Sequence, residues 1–143
     1  MIKIGPAGSG GLGNLKGVAR CAEMDLDCME VEFTYGVRMD LKTAKAVGTL
    51  AREKGILLSV HAPYYINLAS EEREKLAASK KRILDACQRA HHMGARNVVF
   101  HAGFYQTRSA EKTYERIQKA IVGLQKQIAR RMWQVQLCPE VTG

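Results

Sequence analysis

Five short apolar runs, residues 1–4, 28–33, 56–60, 97–100 and 133–137, alternate along this chain with segments of helical periodicity. Their length and residue types are those of buried strands. The clearest helical pattern is the stripe Ala110, Tyr114, Ile117, Ile121, Leu124, Ile128, with Ser109 as N-cap and Glu111 in the first turn. Residues 71–93 read the same way: Ser70 caps, acidic residues come first, Leu76, Ile83, Cys87 and Ala90 face inward, and Gly94 closes the helix. Shorter helices fit 15–26 and 41–54, the latter closed by Gly55. Such alternation forces a parallel sheet, because each helix must return the chain to the edge where the previous strand began. The expected fold is α/β, about four and a half parallel βα units. These would make either a small doubly wound sheet or part of an eightfold barrel, which typically takes about 250 residues.

No linker, low-complexity tract or shift of composition divides the chain, so residues 1–143 are expected to form a single domain. With 46% hydrophobic residues it has the makeup of a folded, water-soluble domain. Its apolar runs are far shorter than the roughly 20 residues a membrane span needs. The start, MIKIGPAGSG, lacks the features of a secretory signal and no C-terminal lipidation motif is present, which predicts a cytoplasmic protein without membrane partners. The cysteines Cys21, Cys28, Cys87 and Cys138 form no CxxC and read as buried thiols. A net charge of +8 tilts the balance toward phosphate-rich partners. Runs such as Lys80-Lys81-Arg82 are read first as solvated helix faces.

One motif points elsewhere. Gly8-Ser9-Gly10-Gly11-Leu12-Gly13 matches GxGxxG, and Glu32, nineteen residues after the last glycine, stands near the place of a ribose-binding acid. Gly5 and Pro6, however, end the first run before the glycines begin. The turn is then longer than the tight junction that seats a pyrophosphate on a helix N-terminus. The segment is read as a loop, and no nucleotide cofactor is expected.

Three other residues recur in one kind of place. His61 follows Leu57-Leu58-Ser59-Val60, His101 follows Asn97-Val98-Val99-Phe100, and Glu140 follows the fifth run after Cys138-Pro139. They are forty and thirty-nine residues apart, one βα unit each. Adjacent parallel strands lie about 4.8 Å apart, so side chains at equivalent depths on three neighbouring strands converge on one point of the rim. Two imidazoles and a carboxylate suit zinc and leave positions open for water or substrate. The C-terminal ends of parallel strands are where barrels and open sheets both build their sites. Such a centre supports hydrolysis of a phosphate ester and equally a metal-dependent sugar isomerisation. His91 and His92, near a helix end, are expected to cap carbonyls or face solvent.

At these residues the sequence resembles the endonuclease IV family of zinc-dependent AP endonucleases, especially its archaeal-type members. The matching segments are Gly5-Pro6-Ala7-Gly8 with Gly10-Gly11-Leu12, Phe33-Thr34-Tyr35-Gly36-Val37-Arg38, His61-Ala62-Pro63-Tyr64-Tyr65-Ile66-Asn67-Leu68, Val99-Phe100-His101-Ala102-Gly103 and Pro139-Glu140-Val141-Thr142-Gly143. The third and fourth are the specific ones. The resemblance implies an eight-stranded α/β TIM barrel that cuts DNA 5′ to an abasic site in base-excision repair, with three zinc ions on the scissile phosphate. By motif, His61, His101 and Glu140 look like ligands of the first zinc, with Glu140 also bridging to the second and so taking the catalytic part. Tyr64 looks like the residue inserted at the lesion, and Arg38 like the arginine of the DNA-entering loop. An aromatic ring can replace lost stacking, and an arginine can stack and pair with phosphate.

The resemblance runs along essentially the whole chain but covers only about the first half of a barrel of usual size. The family's later ligands have no counterpart in this sequence, so at most one well-formed zinc site is expected and the polypeptide alone is expected to be inactive or nearly so. Open sheet edges make self-association a further expectation. Two other readings stand beside this one: a sugar isomerase or epimerase of the xylose isomerase-like barrels, and a noncatalytic nucleic-acid-binding half-barrel.

Overall fold

The computed structural model describes residues 2–141. Four helices alternate with four strands: α1 Asn14–Glu23, β1 Cys28–Glu32, α2 Leu41–Lys54, β2 Leu57–His61, α3 Arg73–Met93, β3 Asn97–His101, α4 Ala110–Arg130 and β4 Gln136–Glu140. All strand pairs are parallel and the sheet order is β1-β2-β3-β4. These are the successive βα units that the alternation of apolar runs predicts.

Burial alternates along the strands. Met29 and Val31 of β1, Val60 of β2, and Val98 and Phe100 of β3 are buried. They pack in one core with Val18 and Cys21 of α1, Ala44, Val47 and Ala51 of α2, Ile83, Ala86, Cys87 and Ala90 of α3, and Leu124 and Ile128 of α4. Each large side chain so removed from water contributes about 1.5–3 kcal/mol. The opposite face carries Glu30, Glu32, Ser59, His61, Val99, His101, Cys138 and Glu140. A 3.1 Å hydrogen bond from Ser59 Oγ to Glu30 Oε2 shows two of these side chains meeting there. Helices therefore cover one face, while the other holds the chemistry.

Several expected details differ. The run 1–4 forms no strand, and Met1 lies outside the described residues. Ile2 and Ile4 are exposed, and the segment touches β1 through the isolated parallel bridge Ala7–Glu30. Glu30 N–H donates to the Pro6 carbonyl at 3.0 Å and Gly8 N–H to the Glu30 carbonyl at 2.9 Å, but Pro6 has no N–H with which to extend the ladder. The last strand, expected at 133–137, occupies Gln136–Glu140, so Glu140 closes the strand rather than following it.

Helix α3 starts later than expected. Glu72 holds its N-cap position without a side-chain bond, and Ser70 is instead buried in the preceding loop, where its carbonyl accepts from Arg116 at 2.8 Å. On α4, Ser109 does cap, accepting from Lys112 N–H at 3.4 Å. The apolar stripe holds at Leu124 and Ile128, but Ala110 and Tyr114 are exposed, and Thr113 and Ala120 take the inner positions. Gly55 and Gly94 close α2 and α3 in the left-handed conformation, as expected. All four cysteines are free: Cys21 and Cys87 are buried, while Cys28 and Cys138 are partly exposed. Burial pushes the Cys87 thiol up to about 12. Among the described residues no helix is long and apolar enough to cross a membrane.

Candidate metal centre

The C-terminal ends of β2, β3 and β4 deliver three side chains to one place. His101 and Glu140 are Cα partners across the β3–β4 pair, and His61 lies level with Val99, one alternate residue below His101. All three occupy the face turned away from the helices. Glu140 Oε2 lies 3.6 Å from His61 Nε2 and 3.5 Å from His101 Nε2, and the three ligating atoms fall within 4.8 Å of one another. Donors about 2.0–2.2 Å from a tetrahedral zinc ion stand about 3.3–3.6 Å apart, the spacing that both imidazole–carboxylate pairs have. His61 is buried, His101 half-buried and Glu140 exposed, which leaves the centre open toward solvent. Among the described residues no other group of three or more potential ligands converges.

Local bonds fix this geometry. The His61 Nδ1 lies 2.8 Å from the Ala62 carbonyl, which can only accept, so the ring donates there and in its neutral form carries its lone pair on Nε2, the atom nearest Glu140. The loops after β2 and β3 are latched together. Ala62 N–H donates to the Val99 carbonyl at 2.8 Å and Leu68 N–H to the Ala102 carbonyl at 2.9 Å. Asn67 turns back to accept from Ala69 N–H at 3.0 Å, while its own N–H donates to the buried Ser79 hydroxyl. The Asn67 carboxamide sits against Gly103, whose φ is 151°; a Cβ there would lie 2.6 Å from Asn67 Oδ1. Arg108 closes the loop from outside, donating to the Ala69 carbonyl at 2.7 Å and pairing with Glu71.

Tyr64 is half exposed at this mouth. Its ring centroid is 5.3 Å from that of His61 and 5.7 Å from that of His101, edge-on to both. Arg38, in the loop after β1, is exposed and lines a neighbouring cavity of about 450 Å³ together with Glu32, Gly36 and Asp40. Exposed aromatic side chains occupy three successive loops at this end: Tyr35, Tyr64 with Tyr65, and Phe104 with Tyr105. The sequence-based reading singled out Tyr64 alone. It also passed over Asn67 and Gly103, although both stand inside the two most specific motifs. Thr142 and Gly143, the end of the last matched motif, lie outside the described residues. His91 makes no carbonyl cap: its Nδ1 accepts from Gln134 N–H at 3.2 Å, tying the end of α3 to the approach to β4.

Comparison with known proteins adds to this geometry. A family model described as a xylose isomerase-like TIM barrel matches residues 18–143. An uncharacterized protein of Methanocaldococcus jannaschii is 38% identical over 128 residues, covering 90% of this chain and 46% of that protein. A probable endonuclease 4 of Metamycoplasma arthritidis is 32% identical over 81 residues, 57% of this chain and 28% of that protein. Among solved structures, an L-ribulose 3-epimerase superposes with a TM-score of 0.76 at 14% identity, over 100% of this chain and 50% of the other. That last likeness shows the fold alone. The chain spans half or less of the length of each of these proteins.

Proposed function

The chain belongs to the xylose isomerase-like TIM barrel family, and from that membership we propose that it carries the first metal centre of a zinc-dependent endonuclease acting 5′ to abasic sites in DNA. The observation that carries the proposal is the convergence of His61 Nε2, His101 Nε2 and Glu140 Oε2, with Tyr64 laid edge-on against both imidazoles at an open mouth. The 32% identity to a probable endonuclease 4 and the net charge of +8 support a nucleic-acid substrate.

His61 and His101 would hold zinc through their Nε2 atoms, and Glu140 through its carboxylate. Zinc so held supplies positive charge for a phosphoryl oxygen and acidifies water at the site. The chain's own groups do the rest. The Ala62 carbonyl holds a proton on His61 Nδ1, so that the neutral ring presents its lone pair at Nε2. Tyr64 offers a π face in place of the stacking lost with a missing base. Arg38 offers a planar, permanently charged guanidinium to a flanking phosphate.

The test is zinc-dependent binding and nicking of a duplex holding one abasic site, against the intact duplex, with D-ketohexose interconversion assayed in parallel. Selective retention of the abasic duplex, reversed by chelator, is expected, with little or no nicking by this half-length chain. Interconversion of the ketohexose with no preference for the lesion would instead establish a sugar epimerase.

A further inference from the structure

Glu32 closes β1 and is the Cα partner of His61 on the neighbouring strand, on the same face of the sheet. The metal centre does not use it. Glu32 is exposed, and among the described residues its carboxylate makes no hydrogen bond and no ion pair. It lies instead against the backbone of Gly8: a Cβ at that glycine would be 2.9 Å from Glu32 Oε2, and Gly8 has a φ of 78°. A cavity of about 310 Å³ opens there, lined by Glu32, Ser9, Asn14, Thr34 and the backbone of the glycine turn. The 450 Å³ cavity that reaches Arg38 shares Asn14 and Glu32 with it. An unpartnered acid therefore stands between the imidazole centre and the guanidinium.

The Glu32 carboxylate in this lining disfavours a phosphate beside it and favours a group with a proton to donate. Ser9, Asn14 and Thr34 each donate and accept, as sugar hydroxyls require. Adjacent strands are about 4.8 Å apart, comparable with the reach from a 5′ phosphate across one pentose to C1′. Resting on the function proposed above, we infer that the Glu32 cavity reads the anomeric hydroxyl of an abasic deoxyribose, so that Glu32 is a specificity-determining residue for the lesion. Loss of a base leaves a hydroxyl on C1′. An intact nucleotide has its glycosidic bond there and offers no such donor, so the carboxylate rewards the lesion and leaves other nucleotides unread. No bond is made or broken in this step.

The experiment measures zinc-supplemented binding of the 143-residue chain to three duplexes that differ at one position. One carries a natural abasic site, one a tetrahydrofuran residue lacking only the anomeric hydroxyl, and one an intact nucleotide. A hydrogen bond to a charged acceptor is expected to favour the abasic site over tetrahydrofuran about tenfold in the parent chain. Glu32→Ala is expected to bring that ratio to about one. Glu32→Gln, which keeps an acceptor oxygen and the side chain's shape, is expected to fall between, and unchanged zinc stoichiometry shows that each variant folds. A ratio of one in the parent, or a ratio that survives in Glu32→Ala, overturns the inference while both lesions still outbind intact DNA. Equal binding of all three duplexes overturns the proposed function, and the inference with it.

Discussion

Strands β2 and β3 deliver His61 and His101 side by side, and the loops that follow them are latched to each other by a handful of atoms. The Asn67 carboxamide fills the space over Gly103, and that glycine tolerates a φ of 151° and a neighbour 2.6 Å from where a Cβ would be. Replacing Gly103 by alanine must displace the Asn67 side chain and, with it, the loop that follows His61. The disturbance falls on the loops behind the candidate ligands rather than on those side chains, and changes behind a metal's ligands typically cost 10–100-fold in metal affinity. Zinc titration of Gly103→Ala is expected to show a loss in that range, with the far-UV circular dichroism of the parent. Affinity equal to the parent's would mean the latch does not position the imidazoles. At this scale the sequence was legible for the three converging side chains, His61, His101 and Glu140, which announce themselves by residue type and by place at the end of a buried run. It marked Glu32 only as the acid of a glycine-rich fingerprint and not as a neighbour of the imidazoles, since an acid at a strand end looks the same whether it meets solvent, a partner or a cavity.

The elements owe their order to features readable in one dimension. Apolar runs of strand length, Gly55, Gly94 and Ser109 mark their places, and the structure follows them closely. What failed was decided by packing. Tyr114 fits the helical stripe by spacing, yet α4 is rotated so that Thr113 and Ala120 face the core, a choice of phase that spacing alone cannot make. Ser70 has the chemistry of a cap but is drawn into the loop that Arg108 and Arg116 clamp. The same contrast makes two helix glycines opposite in sign. A Cβ on Gly48 of α2 would lie 2.4 Å from the Met93 carbonyl oxygen at the end of α3, whereas one on Gly123 of α4 meets nothing within 4 Å. Urea unfolding is expected to find Gly48→Ala destabilised by about 1–3 kcal/mol and Gly123→Ala stabilised by about 0.5–1 kcal/mol. Equal effects of the two changes would show that α2 and α3 are not packed as closely as described.

For the molecule as a whole, helices bury one face of a four-stranded parallel sheet and leave the other to Glu32, His61, His101 and Glu140. The βα order made this arrangement legible, because consecutive parallel strands bring residues one unit apart onto one rim. The stagger was not legible: His61 pairs with Val99 rather than with His101, and its imidazole reaches the carboxylate from one level lower. The account therefore stands on three atoms from three strands sharing one ion, and zinc content tests it most directly. Equilibrium dialysis with elemental analysis of the parent chain, His61→Ala, His101→Ala and Glu140→Gln, together with X-ray absorption of the zinc-loaded parent, measures both stoichiometry and ligands. The account predicts one zinc per parent chain in a shell of two imidazole nitrogens and oxygen, and a loss of affinity in each variant at least as large as that from Gly103→Ala. A parent that binds no zinc tightly, or zinc retained undiminished in all three variants, would contradict it.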